Sequence, residues 1–444
     1  MDLPLSKEQI RELDESTLEY LLWRNKGIDI AQLANALQVD APSIQQDTNR
    51  LPLLARKWTA IARLQRRIMS LEQNIRDLRE GSVEMNVPTF SPESSESARL
   101  AWLAPAQPRV SITLESPISG VRLHPELAVV FVSTEQGRLH CFDLMDTTLP
   151  LASLQAHTRA VTSVDVFCWR QTTFVATGSK DMQVRVFTWS AGQGLKLLRS
   201  FAGHEHVVSG VRIWVGPRTT SVGGGSLLLA SCSRDTSVKI WDVSSGWCLK
   251  SFQPHSDWVR CLDVYGEFLI TGCQDSTLRL THWPSGNGLS VGLGHEFPVE
   301  SVRFIGSLQD AVTTEGKTTN WLGYCVSTSR DRTSKIWLLP QPRRLPQRPP
   351  VPHSTDAQFL CKWTLQGHDS WIKAVRCRGD HVFTASDDKS VMCWNWTNGQ
   401  RIKRWDRIHQ GFVTCIDLDD SNHPMKRKIM VTGGIDCKCH IFMQ

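Results

Sequence analysis

Residues 203–242 read GHEHVVSGVRIWVGPRTTSVGGGSLLLASCSRDTSVKIWD and contain the most complete copy of a repeated pattern. It opens on a Gly-His pair ending at His204, places Ser231 four residues before Asp235, and closes on a Trp-Asp pair beginning at Trp241. The indole, hydroxyl, imidazole and carboxylate of these residues can form one hydrogen-bonded chain. Such a chain would tie strand ends to a tight turn inside one small sheet. Loss of one member would leave buried partners unpaired, at about 1–3 kcal/mol each.

The same pattern occurs six times after about residue 109, which indicates a structural repeat. Its histidines, hydroxyl residues and aspartates are His157, Thr177 and Asp181; His204, Ser231 and Asp235; His255, Thr271 and Asp275; His295, Ser327 and Asp331; His368, Thr384 and Asp388; and His409, Thr432 and Asp436. Trp241, Trp337 or Trp394 follows the aspartate by six residues in three of the repeats. A period of about 40 residues with Gly-His and Trp-Asp marks is typical of the WD40 repeat, which forms one four-stranded blade of a β-propeller.

A seventh, degenerate repeat precedes these six. Residues 117–144 have the strand pattern without the histidine, and Gln136 occupies the place of the turn aspartate. The apolar stretch 110–114 would supply the outer strand of the last blade and close the ring, which removes exposed sheet edges. We therefore expect a mainly β protein, with a seven-bladed WD40 propeller over residues 109–444.

Residues 1–80 have helical patterns. Two amphipathic helices over residues 1–40 are too small to bury their apolar faces alone, so we expect this segment to self-associate. In residues 53–80, isoleucine at each a position and leucine at each d position favour a parallel dimeric coiled coil. The alternative is a helix packed against the propeller. The heptad residues are Ile61, Leu64, Ile68, Leu71, Ile75 and Leu78.

Two stretches are rich in proline. Residues 81–108 combine proline with serine and predict a flexible linker between the helical part and the propeller. Residues 340–353 combine proline with arginine and predict an extended loop, because such a run cannot form a strand. That loop is either a solvated insertion or an arm that binds a partner.

One face of the propeller is predicted to bind a protein. The aspartate turns and the loops after the Gly-His pairs should meet on this face, where Trp258 and Trp371 stand three residues beyond a histidine. Basic residues with aromatic anchors have the composition of a hot spot for an acidic protein surface. The alternative is that the arginines brace neighbouring blades. The basic residues are Lys180, Arg234, Arg260, Arg330, Arg332, Lys373 and Lys389, and the fewer acidic ones are chiefly Glu300 and Asp387.

Other functions find little support. Six copies of a His-hydroxyl-Asp set suit a repeated fold, whereas catalysis needs one such set in a nucleophile elbow, so we expect no enzymatic activity, no metal and no cofactor. A net charge of +6 is too small to indicate nucleic-acid binding. No apolar run is long enough for a membrane helix. Thirteen scattered cysteines predict buried, reduced side chains.

The order of these parts resembles the lissencephaly/nuclear-distribution family of WD-repeat regulators of cytoplasmic dynein, especially its fungal branch. KWTAIARLQ at residues 57–65 resembles the opening of that family's coiled coil. GHEH at 203–206 and THWPSGNG at 281–288 resemble its propeller. Residues 1–40 resemble its LisH dimerisation segment, although the second helix is weakly patterned here. The resemblance covers essentially the whole chain.

The resemblance implies a non-enzymatic homodimer that binds the dynein heavy chain, promotes an active motor and helps to target it to microtubule plus ends, in support of nuclear migration and spindle positioning. It implies a location in the cytoplasm and cytoskeleton, at plus ends and spindle poles, with plus-end proteins as indirect partners and a coiled-coil Nud-type adaptor as a direct one. The positions that match the family's contacts to the motor ring are Arg234, Arg260, Arg330, Trp371 and Lys389. Those that match its contacts to the stalk are Ser200, Glu205 and His206.

Two other classes of WD protein remain as alternatives. A substrate receptor of a ubiquitin ligase also couples a dimerising helical region to a basic propeller face, but it needs an adaptor-binding segment, and residues 1–80 are already assigned. A heterotrimeric G-protein β subunit has a coil that pairs with a γ partner, whereas the heptads here are patterned for self-pairing.

Overall fold

A computed structural model describes residues 104–217, 225–305, 321–340, 358–419 and 428–443. The predicted LisH-like segment (1–40), the predicted coiled coil (53–80) and the linker as far as residue 103 lie outside the described residues. So does the proline- and arginine-rich stretch from residue 341 onward. Within the described ranges no helix has the length and apolar character needed to cross a bilayer.

Twenty-eight strands in the described residues form seven antiparallel sheets of four, which we number as blades 1 to 7. Blade 1 contains β2 (Ile118–Leu123), β3 (Val129–Thr134), β4 (Arg138–Asp143) and β5 (Ala152–Gln155); blade 2 contains β6 (Val161–Trp169), β7 (Thr172–Ser179), β8 (Val184–Ser190) and β9 (Gly194–Phe201). Blade 3 contains β10 (Val208–Val215), β11 (Leu227–Ser233), β12 (Val238–Asp242) and β13 (Cys248–Phe252); blade 4 contains β14 (Val259–Tyr265), β15 (Phe268–Cys273), β16 (Leu278–His282) and β17 (Asn287–Gly292). Blade 5 contains β18 (Val299–Ile305), β19 (Trp321–Ser329), β20 (Thr333–Pro340) and β21 (Leu360–Gln366); blade 6 contains β22 (Ile372–Arg378), β23 (His381–Ser386), β24 (Val391–Asn395) and β25 (Arg401–Trp405). Blade 7 contains β26 (Val413–Leu418), β27 (Ile429–Gly434), β28 (Lys438–Met443) and β1 (Val110–Thr113).

The first strand closes the ring. β1 pairs with β28 in antiparallel register, with Val110 opposite Ile441 and Ser111 opposite His440. The Ser111 hydroxyl also lies 2.7 Å from His440 Nδ1. Because this pairing covers the outer edge of β28, it removes an exposed sheet edge at the junction. The seven-bladed WD40-type propeller predicted from the sequence is confirmed.

The hydrophobic core of the described residues consists of separate clusters between neighbouring blades, and there is no single central core among them. Seven clusters of buried apolar side chains occur in the described residues, each contributed by two neighbouring blades. The cluster between blades 4 and 5 contains Trp337, and the cluster between blades 3 and 4 contains Trp283. Both indoles are fully buried. Each blade therefore depends on both neighbours, and ring closure completes the last of the seven interfaces.

The innermost strand of each blade lies next to the central channel and is β2, β6, β10, β14, β18, β22 or β26. Each of these strands contains a register shift at its second residue. Such a β-bulge re-aims the extra side chain and marks sites next to functional surfaces. Five of the bulge residues line one cavity in the central channel. The seven bulge residues are Ser119, Thr162, Ser209, Arg260, Glu300, Lys373 and Thr414.

The glycine of each Gly-His pair lies against the tryptophan of its own blade. A Cβ on Gly294 would be 3.3 Å from the indole of Trp337, and its φ of 147° is one that L side chains rarely adopt. The tryptophan and the glycine therefore occur together because the indole needs the space. The pairs are Gly203 with Trp241, Gly294 with Trp337 and Gly367 with Trp394. Where the tryptophan is absent, the residue before the histidine is Ala156, Pro254 or Ile408.

All 13 cysteines lie in the described residues, and none of them forms a disulfide. Eight are buried. Burial raises the pKa of the Cys141 and Cys261 thiols to about 12, which keeps both protonated and unreactive at neutral pH.

Replacing Gly294 by alanine should lower the free energy of unfolding by about 1–3 kcal/mol, because the methyl group meets Trp337 and the backbone is strained. Gly192→Ala is the matched control, since nothing lies within 4 Å of its Cβ position. That variant should stay within about 0.5 kcal/mol of the parent. Urea unfolding followed by circular dichroism measures both. Equal stability of the two variants would contradict the packing explanation.

Candidate protein-binding face

The aspartate turns and the loops after the histidines meet at one end of the blades. The backbone N–H of Glu205 donates to Asp235 Oδ2 at 3.0 Å, and that of Gln410 donates to Asp436 Oδ2 at 2.9 Å. Each bond joins the loop that enters a blade to the turn between its second and third strands. Since the innermost strand starts directly after the loop, its first residues open onto the same end. We call this end the turn face.

Blade 5 shows how a hydrogen-bonded chain fixes the turn face. Trp337 Nε1 lies 2.7 Å from Ser327 Oγ, Ser327 Oγ lies 2.7 Å from His295 Nε2, and His295 Nδ1 lies 2.6 Å from Asp331 Oδ2. The indole can only donate and the carboxylate can only accept. With a neutral imidazole, Ser327 donates to Nε2 and Nδ1–H donates to the aspartate. Burial lowers the pKa of His295 despite the nearby carboxylate, so the neutral imidazole fits this arrangement.

The histidine also bonds the hydroxyl residue in the other five blades that carry the His-hydroxyl-Asp pattern. In blade 3 His204 Nε2 lies 2.7 Å from Ser231 Oγ and Nδ1 lies 2.8 Å from Asp235 Oδ2, and Trp241 Nε1 donates to Ser231 at 2.9 Å. Blade 6 repeats them with His368, Thr384, Asp388 and Trp394, at 2.8, 2.7 and 3.0 Å. Blades 2, 4 and 7 lack the tryptophan and keep the histidine bonds to Thr177, Thr271 and Thr432.

The geometry of this chain resembles a catalytic triad, but its hydroxyls cannot meet a substrate. Ser231, Ser327 and Thr384 are all fully buried. Residues 288–292 read Gly-Leu-Ser-Val-Gly, which matches the G-x-S-x-G motif of a nucleophile elbow. An elbow needs a strand-to-helix turn that exposes the serine, whereas Ser290 lies inside strand β17 and is buried. Neither feature supports hydrolysis.

Two sets of side chains in the described residues have metal-ligating atoms within 4.8 Å of one another: His255, Cys273 and Asp275, and His409, Asp436 and His440. Both are members of blade networks. His255 Nε2 is bonded to Thr271, and burial raises the pKa of the Cys273 thiol, which opposes the thiolate that a metal requires. His440 Nδ1 is bonded to Ser111 of the closing strand. Both sets therefore already serve as internal bracing.

A glutamate whose side chain is only 9% exposed, Glu300, organises the basic residues of the turn face. Arg260 Nη2 lies 2.8 and 2.9 Å from the two carboxylate oxygens of Glu300, and Arg330 Nε donates to Oε1. Lys373 Nζ lies 4.0 Å from Glu300 Oε1 and 3.8 Å from Asp387 Oδ2. Burial would raise the pKa of Glu300, but Arg260 and Lys373 outweigh it and hold the pKa below its ordinary value. Three cations therefore share one ionised carboxylate.

Two tryptophans extend this cluster to the surface. The guanidinium of Arg330 lies 4.5 Å from the ring centroid of Trp371, and Lys373 Nζ lies 4.9 Å from the same ring. Arg234 lies 4.8 Å above the ring of Trp258. The side chains of Trp258 and Trp371 are 38% and 42% exposed, so both rings are braced on one side and open on the other. The arginines thus brace neighbouring blades and also hold the indoles at the surface.

The bulge positions explain why the cluster occupies one part of the ring. In blades 4, 5 and 6 these positions carry Arg260, Glu300 and Lys373. In the other four blades they carry serine or threonine. The hydroxyl of Thr414, for example, donates to the carbonyl oxygen of Ile118 in the next blade at 2.6 Å. At the bulge position, charged side chains therefore replace hydroxyl side chains on one side of the ring only.

The structure brings most of the predicted motor-ring residues together. Arg260, Arg330 and Trp371 belong to the cluster around Glu300, and Arg234 stacks on Trp258 beside it. Lys389 is exposed in the aspartate turn of blade 6, with a φ of 68°. It lies two residues beyond Asp387, so it belongs to the same face.

The predicted stalk residues lie next to this group. Glu205 and His206 are exposed in the loop that enters blade 3. The imidazole of His206 lies 6.1 Å from the ring of Trp258, so this loop is continuous with the Arg234–Trp258 pair. Ser200 is exposed on the outer strand β9 of blade 2, opposite Arg185 of β8.

Glu300 was expected among the acidic residues of the face, but its nearly enclosed position at the centre of the cations was not predicted. The contact between Trp258 and His206 was not predicted either. The signal was present in the innermost strands, where a charged residue replaces serine or threonine at the bulge position of three consecutive repeats. To recognise this pattern, one must know that these residues occupy a β-bulge, and the amino-acid sequence alone does not show the bulge.

These features define a WD-repeat β-propeller protein with a basic face that carries exposed tryptophans. The family described as "WD domain, G-beta repeat" matches residues 148–188, 195–242, 246–282 and 359–395. The chain is 91% identical over 444 residues to nuclear distribution protein PAC1 of Zygosaccharomyces rouxii, with both chains fully covered. It is 43% identical over 496 aligned residues to PAC1 of Saccharomyces cerevisiae strain YJM789, and 39% identical over 469 to PAC1 of Candida glabrata, covering at least 98% of each chain. The chain belongs to the PAC1 family of nuclear distribution proteins, which confirms the resemblance inferred from the sequence.

Replacing Glu300 by glutamine should lower the free energy of unfolding by about 3 kcal/mol at pH 7, because it leaves partly buried cations without their carboxylate. Glu300 has a depressed pKa, so its contribution is present above the ordinary glutamate pKa and is lost as the pH falls through the folded-state pKa. The difference between parent and variant should therefore shrink on acidification.

Glu296→Gln is the control, because this carboxylate is exposed near the same face. Denaturation at pH 7 and at lower pH provides the measurement. A Glu300→Gln variant as stable as Glu296→Gln at pH 7 would show that the cations do not depend on Glu300.

Proposed function

We propose that this protein is a non-enzymatic, dimeric regulator of cytoplasmic dynein that binds the motor domain through the turn face. The observation that carries the proposal is the cluster around Glu300, in which cations and open indoles are held in a fixed arrangement. The relatives support the pathway, since they are nuclear distribution proteins over their full length.

The chemistry of the face suits an acidic partner. Arg234, Arg260, Arg330, Lys373 and Lys389 outnumber the two carboxylates of Glu300 and Asp387. Salt bridges inside the cluster hold the arginines before a partner arrives, so binding costs less side-chain entropy. Trp371 and Trp258 offer rigid apolar surface next to the charges, which is the composition of a hot spot. The partner is therefore an acidic protein surface with apolar pockets, and we assign it to the motor ring.

A second contact is proposed at Ser200, Glu205 and His206, to the stalk of the motor. Continuity between His206 and Trp258 supports one extended surface over blades 2 to 6. A partner that contacts both parts in one conformation only would have that conformation selected by binding. This differential affinity is how the protein would promote an active motor state.

The proposed dimer adds a geometric advantage. Two propellers joined through residues 1–80 would bind one or two motors with a gain in effective concentration. A coiled-coil Nud-type adaptor and indirect links to microtubule plus-end proteins complete the proposed assembly, which acts in the cytoplasm and cytoskeleton, at plus ends and spindle poles, in nuclear migration and spindle positioning. Nothing in the comparisons supports the alternative of a ubiquitin-ligase substrate receptor.

Trp371→Ala should weaken binding of the purified dynein motor domain by about thirtyfold, the loss expected for a hot-spot tryptophan. Lys389→Glu should slow association and reduce its salt dependence, because Lys389 is an exposed charge at the rim. Biolayer interferometry at several salt concentrations measures both effects.

The matched control is Trp247→Ala, since Trp247 is 75% exposed in the turn between β12 and β13 at the opposite end of blade 3. It should bind like the parent. Charge reversal of Arg330 is a poor test, because it would place a carboxylate against buried Glu300 and perturb the fold. Unchanged affinity in both Trp371→Ala and Lys389→Glu would refute the assignment of the turn face.

Deletion of residues 1–80 should convert a dimer into a folded monomer. The heptads at Ile61 to Leu78 lie in the deleted part, whereas all seven blades lie beyond it. Sedimentation velocity of the full chain and of the deletion gives the two masses. A deletion that still sediments as a dimer would mean that the propeller itself associates.

A further inference from the structure

The central channel contains a second charged structure, separate from the turn face. Each innermost strand places one arginine or aspartate three residues after its bulge, about 10 Å further along the channel. We call this ring the charge belt. Its members, in blade order from 1 to 7, are Arg122, Asp165, Arg212, Asp263, Arg303, Arg376 and Asp417.

Salt bridges between neighbouring blades connect six of the seven junctions of the belt. The nitrogen-to-oxygen distances are 3.0 Å for Arg122 to Asp165, 2.9 Å for Arg122 to Asp417, 2.6 Å for Arg212 to Asp165, 2.9 Å for Arg212 to Asp263, 3.3 Å for Arg303 to Asp263 and 2.7 Å for Arg376 to Asp417. The aspartates also accept backbone N–H groups of the following blade, as Asp165 does from Ile213 at 3.0 Å.

The seventh junction cannot be paired, because an odd number of positions cannot alternate in sign around a closed ring. The failure falls between blades 5 and 6, where Arg303 is followed by Arg376. The seven-bladed fold therefore forces one pair of like charges into the channel.

Arg303 is left incompletely satisfied at this junction. Its Nη1 makes long contacts of 3.3 Å to Asp263 and 3.4 Å to the carbonyl oxygen of Leu262. Its Nε is buried and has no hydrogen-bond partner among the described residues. By contrast, Arg122 Nε donates to the carbonyl oxygen of Val164 in the next blade at 3.1 Å. The corresponding carbonyl at Arg303, that of Val375, already accepts from Arg376 Nη1 at 2.9 Å.

A cavity of about 370 Å³ adjoins the unpaired junction. Arg303 and Arg376 both line it, together with Arg122, Arg212 and Arg378, against the carboxylates of Asp165, Asp417 and Asp419. Burial lowers the pKa of Arg303, and nearby Arg212 lowers it further, so an anion there would relieve an unfavourable charge. The volume is ample for a small ion and its first waters.

We propose that the junction between Arg303 and Arg376 binds a small oxyanion of the phosphate or sulfate class. Two guanidinium groups with donors to spare match such an ion, because planar N–H forks donate in parallel to its oxygens. The ion would supply the negative charge that is missing between Arg303 and Arg376 in the seven-membered charge belt. It would thereby join blades 5 and 6. These are the blades that carry Glu300, Arg330 and Trp371, so the site lies directly beneath the proposed motor contact.

Thermal unfolding of the full chain in sodium phosphate and in sodium chloride of equal ionic strength tests the proposal. Phosphate at about ten times its Kd should raise Tm by about 3 °C and further as its concentration increases. Arg303→Met should abolish this increment. Arg378→Met is the matched control, because Arg378 lines the same cavity but is paired with Asp419 at 2.7 Å, and it should keep the increment.

Equal Tm of the parent in the two salts would overturn the proposal, as would an increment that survives in Arg303→Met, which would place the ion elsewhere. If Arg303→Met does not fold, crystals of the unaltered protein soaked in selenate provide the second test. Anomalous density between Arg303 and Arg376 supports the site, and its absence there at saturating selenate excludes it.

Discussion

In each blade that carries the His-hydroxyl-Asp pattern, contact between a buried histidine and a turn aspartate fixes the turn to its blade and positions the residues around it. With a neutral imidazole, one proton arrangement satisfies the indole, hydroxyl, imidazole and carboxylate at once, as in blade 5. The turn is therefore held at a fixed height on its blade. The residues on either side of the aspartate gain defined positions without being part of the network. Arg234, Arg330 and Lys389 owe their placement on the turn face to this constraint.

Two positions along the innermost strand carry charged residues of the channel and of the turn face. The bulge residue opens onto the turn face, and the belt residue lies three positions deeper. Four blades carry a hydroxyl at the bulge, and those of Thr162 and Thr414 bond the neighbouring blade. In the other three blades Arg260, Glu300 and Lys373 turn the same position into a charged surface. The backbone is alike in every blade. Substitutions at the bulge position are thus enough to give a ring of similar blades a charged surface on one side.

The sequence predicted the features that depend on spacing within one repeat. The histidine, hydroxyl and aspartate of each network, the degenerate first blade and the closing strand at 110–114 all follow from local patterns. The burial of Glu300 and the pairing of Arg122 with Asp417 do not, because they depend on which residues of different blades face each other across the channel. The register shift at the bulge sets that alignment, and no pattern in the amino-acid sequence indicates the shift. The helical patterns of residues 1–80 stay predictions.

The pairing of β1 with β28 has a consequence for biosynthesis. Ser111 and its partner His440 are separated by 329 positions, so the strand made first among the blades waits for the one made last. Until β28 has been synthesised, blade 7 is incomplete and its edges can pair with other chains. A chain that stopped before Lys438 would lack β28, so β1 would have no strand to pair with. Closure of the ring is thereby coupled to synthesis of the last strand of blade 7.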